Sequence, residues 1–298
     1  MIYLILFILG LSAGSFINVV SLRYRPGEKV LSQRTIGGRS RCSHCGKTLS
    51  WYELVPLLSF IVQRGRCRSC GKQLSFQYPV VEMLAGLIFV FVPWRLLNFQ
   101  FSILNFQLIN QLSDYQLLTA VIWIIVFLLF LLLSVVDLRK FVIPDSVNFL
   151  LGFLGLVLFG LTYFFNEFDF YSSQFFGHYA FLLGFRENIF VNYFAGFLFG
   201  LLFFGAIIFL SRGKAMGLGD LKLAAALGIL FGWPEALIII ALSFVLGAII
   251  SLSLMAIGRK TMKDMVPFGP FLVLGSSLVF FFGFPLFDAY FNFLNKII

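Results

Sequence analysis

Charge is what this chain has least of. Only 12% of its 298 residues are Asp, Glu, Lys or Arg, against about 25% in soluble proteins. Together with 60% apolar residues, that scarcity excludes an ordinary soluble domain and places the chain among polytopic membrane proteins. Acids are rarer than bases, 13 against 22, and the net charge is +9. An excess of that sign can signal nucleic-acid binding, but here it follows from where the bases fall, and no nucleic-acid partner is expected. Cysteine is confined to four residues, all within positions 23–78. Also lacking is a basic stretch before the first apolar run, which Arg23 and Arg25 follow instead. An uncleaved first helix is therefore expected rather than a signal peptide.

What is present is apolar length. About 20 apolar residues cross a bilayer. Candidates lie at about 1–20, 79–97, 117–136, 147–165, 189–210, 235–257 and 269–293. A shorter stretch, Leu221 to Trp233, lies between polar ends, and counting it makes about eight transmembrane helices. The fold class expected is all-α and polytopic.

Orientation follows the Lys and Arg bias. Loop 23–78 carries eleven of them, 137–146 two, 211–222 three and 258–268 three, all on alternate sides of successive spans. The opposite face keeps Arg95, Arg186 and Lys296. This predicts extracytoplasmic termini and a cytosolic 23–78 loop, provided the short span is real. The sequence Leu-Asn-Phe-Gln occurs at 97–100 and again at 104–107. Segment 98–112 reads as an amphipathic piece on the outer leaflet. Neither it nor 166–188 is assigned chemistry.

In the first span, Gly14 and Ser15 suit close helix packing, and Asn18 should seek a partner inside the bundle. The cysteines read Cys42-x2-Cys45, 21 residues, Cys67-x2-Cys70. That spacing is close to a four-cysteine zinc site. Each second cysteine precedes Gly-Lys, at Gly46-Lys47 and Gly71-Lys72, so the halves resemble one another. Two disulfides are the alternative, and they require an oxidising side of the membrane. A four-thiolate shell is closed, hence structural; His44 reads as solvated.

Two carboxylates stand at ends of apolar runs: Asp137, after Ser134-Val135-Val136, and Asp220, in Gly217-Leu218-Gly219-Asp220-Leu221-Lys222. Ionisable residues at such boundaries are functional candidates. By the orientation above both emerge on one face, where one can act as base and the other as acid. Gly217 and Gly219 are expected to supply positive φ and close approach for an extended peptide, with Lys222 grouped with them as a substrate contact. A glycine-rich turn with Asp220 capping the next helix is the bland alternative. Asp145, after Pro144, is read as an N-cap, and Glu82 as a packing or orienting residue.

These motifs, taken in order, resemble the type IV prepilin peptidases, membrane aspartic peptidases with a Gly-x-Gly-Asp motif. The resemblance rests on Gly14-Ser15-Phe16-Ile17-Asn18-Val19-Val20 with Arg23, the paired Cys-x2-Cys loop with Trp51-Tyr52-Glu53-Leu54-Val55-Pro56, and Tyr78-Pro79-Val80-Val81-Glu82. It continues through Asp137 to Pro144-Asp145, Gly217 to Lys222, and Pro267-Phe268-Gly269-Pro270. It implies Asp137 and Asp220 as a catalytic dyad that removes the leader of prepilins or pseudopilins at the cytosolic face of the inner membrane. It also implies methylation of the new N-terminus by S-adenosylmethionine, for which no fingerprint is recognisable. The expected organisation is a first transmembrane helix at 1–22, a cytosolic zinc-binding domain at 23–78 and a transmembrane peptidase core at 79–298. A transporter using the aspartates as an ion site, and a non-catalytic assembly scaffold, are the readings from other classes.

Overall fold

The computed structural model describes residues 2–30, 32–96, 114–165, 188–259, 261 and 264–294. The 98–112 repeat lies outside them, as does all of the 166–188 loop but its last residue. Among the described residues the chain is helical, with two isolated β-bridges. The helices are α1 (Ile2–Arg23), α2 (Gln33–Ile36), α3 (Leu58–Val62), α4 (Gln77–Leu96), α5 (Asp114–Lys140), α6 (Asp145–Phe165), α7 (Ile189–Leu210), α8 (Leu218–Phe231), α9 (Glu235–Ala256) and α10 (Gly269–Leu294). Six of them, α1, α4, α5, α6, α7 and α9, are long and apolar enough to cross a membrane. Their outward faces keep large apolar side chains, with Phe164 83% and Phe209 84% exposed, as hydrocarbon contact requires.

Two compact units divide at Val136/Asp137. In the first, α1 lies along α4. Their approach demands glycine, because a Cβ on Gly14 would come within 2.6 Å of the Glu82 Cα. Asn18 finds the partner expected of it, its Nδ2 donating to the Tyr78 carbonyl at 3.1 Å. Glu82 has an orienting contact too: its Oε2 accepts from the Leu57 N–H at 2.8 Å, tying the loop to α4.

In the second unit, α8 packs against both α6 and α7. The short apolar stretch is thus a real helix, buried from Leu223 through Gly228. Its 14 residues rise about 21 Å, short of the roughly 30 Å hydrocarbon core. Burial among its neighbours, rather than length, is what makes a helix this short stable. A stripe on α7, Asn192, Gly196, Gly200 and Phe204, is buried. A Cβ on Gly228 would collide with the Gly196 carbonyl oxygen, so the two backbones are in direct contact. Asn192 fastens the far end, donating to the Trp233 carbonyl at 2.6 Å and accepting from its N–H at 3.1 Å.

Candidate active site and metal centre

Asp137 and Asp220 both belong to the second unit and lie within electrostatic reach of one another. Asp137 stands near the end of α5 and is 4% exposed. Its Oδ2 accepts from the Gly269 N–H at 3.1 Å. That amide is available because it opens α10, and the first N–H groups of a helix have no partner within it. Asp220 sits in the first turn of α8. Its Oδ2 accepts from the Gly217 N–H at 3.4 Å, while Oδ1 is buried without a hydrogen-bond partner. This is one half of a capping box, the half that glycine at the N-cap can supply. The helix-capping reading of Asp220 therefore holds alongside any chemical one.

The glycines work differently from expectation. Gly217 has φ −86°, and neither it nor Gly219 is among the positive-φ residues; Gly213, at +74°, is. Gly219 is needed for close approach, since a Cβ there would sit 3.1 Å from the Ile143 Cβ. Its carbonyl accepts from Asn148 Nδ2 at 3.2 Å, which links α6 to the turn that carries Asp220. Asn148 is 5% exposed, and nothing in the local sequence marks it.

Asp145 also departs from its expected role. It is the first residue of α6, and the amides of Val147 and Asn148 are satisfied by the Pro144 carbonyl. Its carboxylate instead accepts from Lys222 Nζ at 2.7 Å, on the surface. Lys222, one turn into α8, thereby ties that helix to the start of α6.

In the first unit the four cysteines converge, their sulfurs all within 4.8 Å of one another. None is in a disulfide. Each half is a matched turn. Cys42 N–H donates to the Lys47 carbonyl and Gly46 N–H to the Cys42 carbonyl; Cys67 with Lys72, and Gly71 with Cys67, repeat the pattern. Gly46 and Gly71, at φ +71° and +68°, make both turns possible. Backbone N–H groups of Cys70 and Ser69 hold the Cys67 thiol down to about 6. The Lys72 amide acts to lower the Cys70 thiol, but desolvation and the neighbouring thiols outweigh it and push it up to about 11. Four sulfurs competing for protons in so small a volume suit a soft divalent cation, whose tetrahedral shell sets sulfurs about 3.8 Å apart. Elsewhere in the same loop Trp51 is 79% exposed, and Arg68, between Cys67 and Cys70, stands 5.2 Å from the Tyr52 ring centre.

Residues 8–96 match the Bacterial Peptidase A24 N-terminal domain and residues 123–252 the Type IV leader peptidase family. Several similar proteins carry the name prepilin leader peptidase/N-methyltransferase. The one from Xanthomonas campestris is 31% identical over 96% of this chain and 93% of its own length. That from Bacillus subtilis is 30% identical over 94% of each, and that from Legionella pneumophila 28% identical over 94% and 91%. No solved structure matches the chain at a significant level.

Proposed function

This chain belongs to the prepilin leader peptidase/N-methyltransferase family, and from that premise we propose that it cleaves prepilin or pseudopilin leaders with Asp137 and Asp220 as its catalytic pair. The observation that carries the proposal is the pair itself. Two carboxylates in one unit, within electrostatic reach, are each anchored by one backbone N–H, and Asp220 keeps a buried oxygen with no protein partner. One carboxylate removes a proton from a water that attacks the scissile carbonyl. The other gives its proton to the carbonyl oxygen and recovers it as the intermediate collapses, while the first passes the proton it took from water to the departing amine. No covalent acyl-enzyme is needed.

The glycine turn and Lys222 are proposed to receive the peptide, with Gly217 and Gly219 allowing backbone-to-backbone approach beside Asp220. The charge bias of the loops supports an inner-membrane protein with residues 1–22 as its first span, a cytosolic domain at 23–78 and a transmembrane core at 79–298. Eight crossings, with α8 and α10 added to the six long helices, belong to the same proposal. The metal at Cys42, Cys45, Cys67 and Cys70 is proposed to be zinc, held in a closed shell that stabilises the loop and takes no part in cleavage. For the second activity S-adenosylmethionine supplies, when bound, a methyl group carried on a sulfonium.

A synthetic prepilin-like peptide, with a basic leader, a glycine and an apolar segment, tests the reading. Incubated with the purified chain in detergent, it should be cut after the glycine. An intact peptide under conditions where the chain remains folded would overturn the proposal.

A further inference from the structure

The short helix α3 buries none of its residues. Leu58, Ile61 and Val62 stand on one of its faces, at spacings of three and four, and are 62%, 67% and 66% exposed. Phe76, just before α4, is 72% exposed and meets Phe60 of α3 edge to face, with ring centres 6.1 Å apart. Scattered apolar side chains on a surface are ordinary, but several gathered on one face mark a contact with something apolar.

The depth of α3 says what that contact is. Leu57, the residue before it, has a φ of +58° and donates its N–H to Glu82 Oε2 at 2.8 Å. Glu82 is the sixth residue of α4, about 7.5 Å along the axis from Gln77. All 20 residues of α4 are needed to cross a hydrocarbon core of about 30 Å. Its second turn therefore lies within the apolar layer, where Val80 and Met83 are exposed on α4 itself. The start of α3 is tied at that level rather than above it.

Charge points the same way. Between Glu53 and Glu82 the chain has no acid and four bases, Arg64, Arg66, Arg68 and Lys72, all of them exposed. Arg64 and Arg66 follow α3 directly, so their heads can rise to phosphate while their stems stay with the apolar face. The Trp51–Glu53 turn packs beside α3, with Trp51 exposed, and tryptophan favours the boundary between lipid and water.

We propose that α3 is an interfacial anchor: Leu58, Ile61, Val62 and Phe76 enter the bilayer, and Arg64 and Arg66 bind the headgroups of anionic phospholipid. The cysteine loop is thus held down on the membrane at a third place, besides its junctions with α1 and α4. The inference needs α4 to cross the membrane and is independent of leader cleavage.

The test uses the full chain in lipid nanodiscs, with phosphatidylcholine or phosphatidylglycerol carrying a diazirine in one acyl chain as the probe. After photolysis the label is mapped by mass spectrometry. Leu58, Ile61, Val62 and Phe76 should take label as strongly as Val80 and Met83, and the phosphatidylglycerol probe should label α3 more than the phosphatidylcholine probe. Arg64→Gln with Arg66→Gln should lower that preference by about fivefold or more. Ile61→Glu with Val62→Glu should cut labelling of residues 58–62 about tenfold, with Val80 and Met83 unaffected. Label on α4 but none on residues 58–62 or Phe76 would defeat the proposal. If the unlabelled face then crosslinks to a second copy of the chain, or to an added prepilin-like peptide, that partner is its occupant instead. Equal labelling by the two lipids would remove the role of the arginines. Should the glutamate variant not fold, the wild-type labelling pattern decides alone.

Discussion

Gly269 donates its N–H to Asp137 Oδ2 across 132 residues of chain. The amide is one that a helix start leaves free, and its place in Pro267-Phe268-Gly269-Pro270 gives that motif a physical purpose. It orients one carboxylate, as Gly217 orients the other.

If the two carboxylates act as base and acid, each is indispensable. Asp137→Asn and Asp220→Asn should each lower the rate of leader cleavage by about 10²–10⁴-fold, with expression and membrane insertion unchanged. The wild type should show a bell-shaped dependence of kcat/KM on pH, since a coupled pair titrates as a unit. Near-normal cleavage by either folded variant would remove the dyad.

Asn148 is expected to act as a positioning residue through the Gly219 carbonyl. A lost neutral hydrogen bond is worth about 0.5–1.5 kcal/mol. Asn148→Ala should therefore cut kcat about three- to tenfold while KM changes little, as the Asp220 turn loses its fixed placement. A variant altered only in thermal stability, with kcat intact, would assign Asn148 to packing alone.

Metal analysis of the purified chain should find one zinc. Replacing Cys42, Cys45, Cys67 and Cys70 by serine should abolish it and open residues 23–78 to limited proteolysis, because so small a segment has little core of its own. Methyl transfer should fall further than cleavage, since both aspartates lie outside the unit that contains the four cysteines. Absence of zinc, with the thiols paired as disulfides, would overturn the metal and the cytosolic placement together.

Legibility in the sequence depends on contrast. Asp137 and Asp220 stand out because charge is rare in an apolar chain, and the cysteines because their spacing repeats. The helices emerge nearly in full, apolar runs being long and bounded. Asn148 is invisible, because its value comes from Gly219, 71 positions away. Asp145 misleads for the same reason: a residue after proline looks like a cap until Lys222 arrives from another helix. The glycines of the Asp220 turn suggest a backbone conformation they do not adopt, whereas their use lies in what stands opposite. The spacing of Asn192, Gly196 and Gly200 at intervals of four marks a packing face, but the partner that requires it, α8, is set only by the fold.

That packing face can be tested by a matched pair. Gly228→Ala drives a methyl group into the Gly196 backbone, where nothing flexible can give way, whereas Gly205→Ala meets only a Leu221 side-chain atom at 3.9 Å. Overpacking costs about 1–3 kcal/mol. Gly228→Ala should lower the melting temperature in detergent clearly and reduce cleavage, because α8 carries Asp220; Gly205→Ala should do neither. Equal melting temperatures for the two would show that α7 and α8 do not meet as described.

The surface pair of Asp145 and Lys222 allows a third carboxylate to be told from the dyad, and a substrate contact from an ion pair. The side chains are 72% and 48% exposed, at 2.7 Å. An exposed pair of this kind is worth about 0–1 kcal/mol. Asp145→Asn should thus change cleavage by less than about fivefold, which the dyad variants will not. Lys222 is the discriminating partner. If it only holds Asp145, Lys222→Gln should match Asp145→Asn, and the double variant should be no worse than either. If it also meets the peptide, Lys222→Gln should raise KM beyond the effect of Asp145→Asn, and the double variant should resemble Lys222→Gln alone. Steady-state kinetics of the three variants on one peptide decide it: coincident KM values remove Lys222 from the substrate site, and a folded but inactive Asp145→Asn would make Asp145 part of the chemistry.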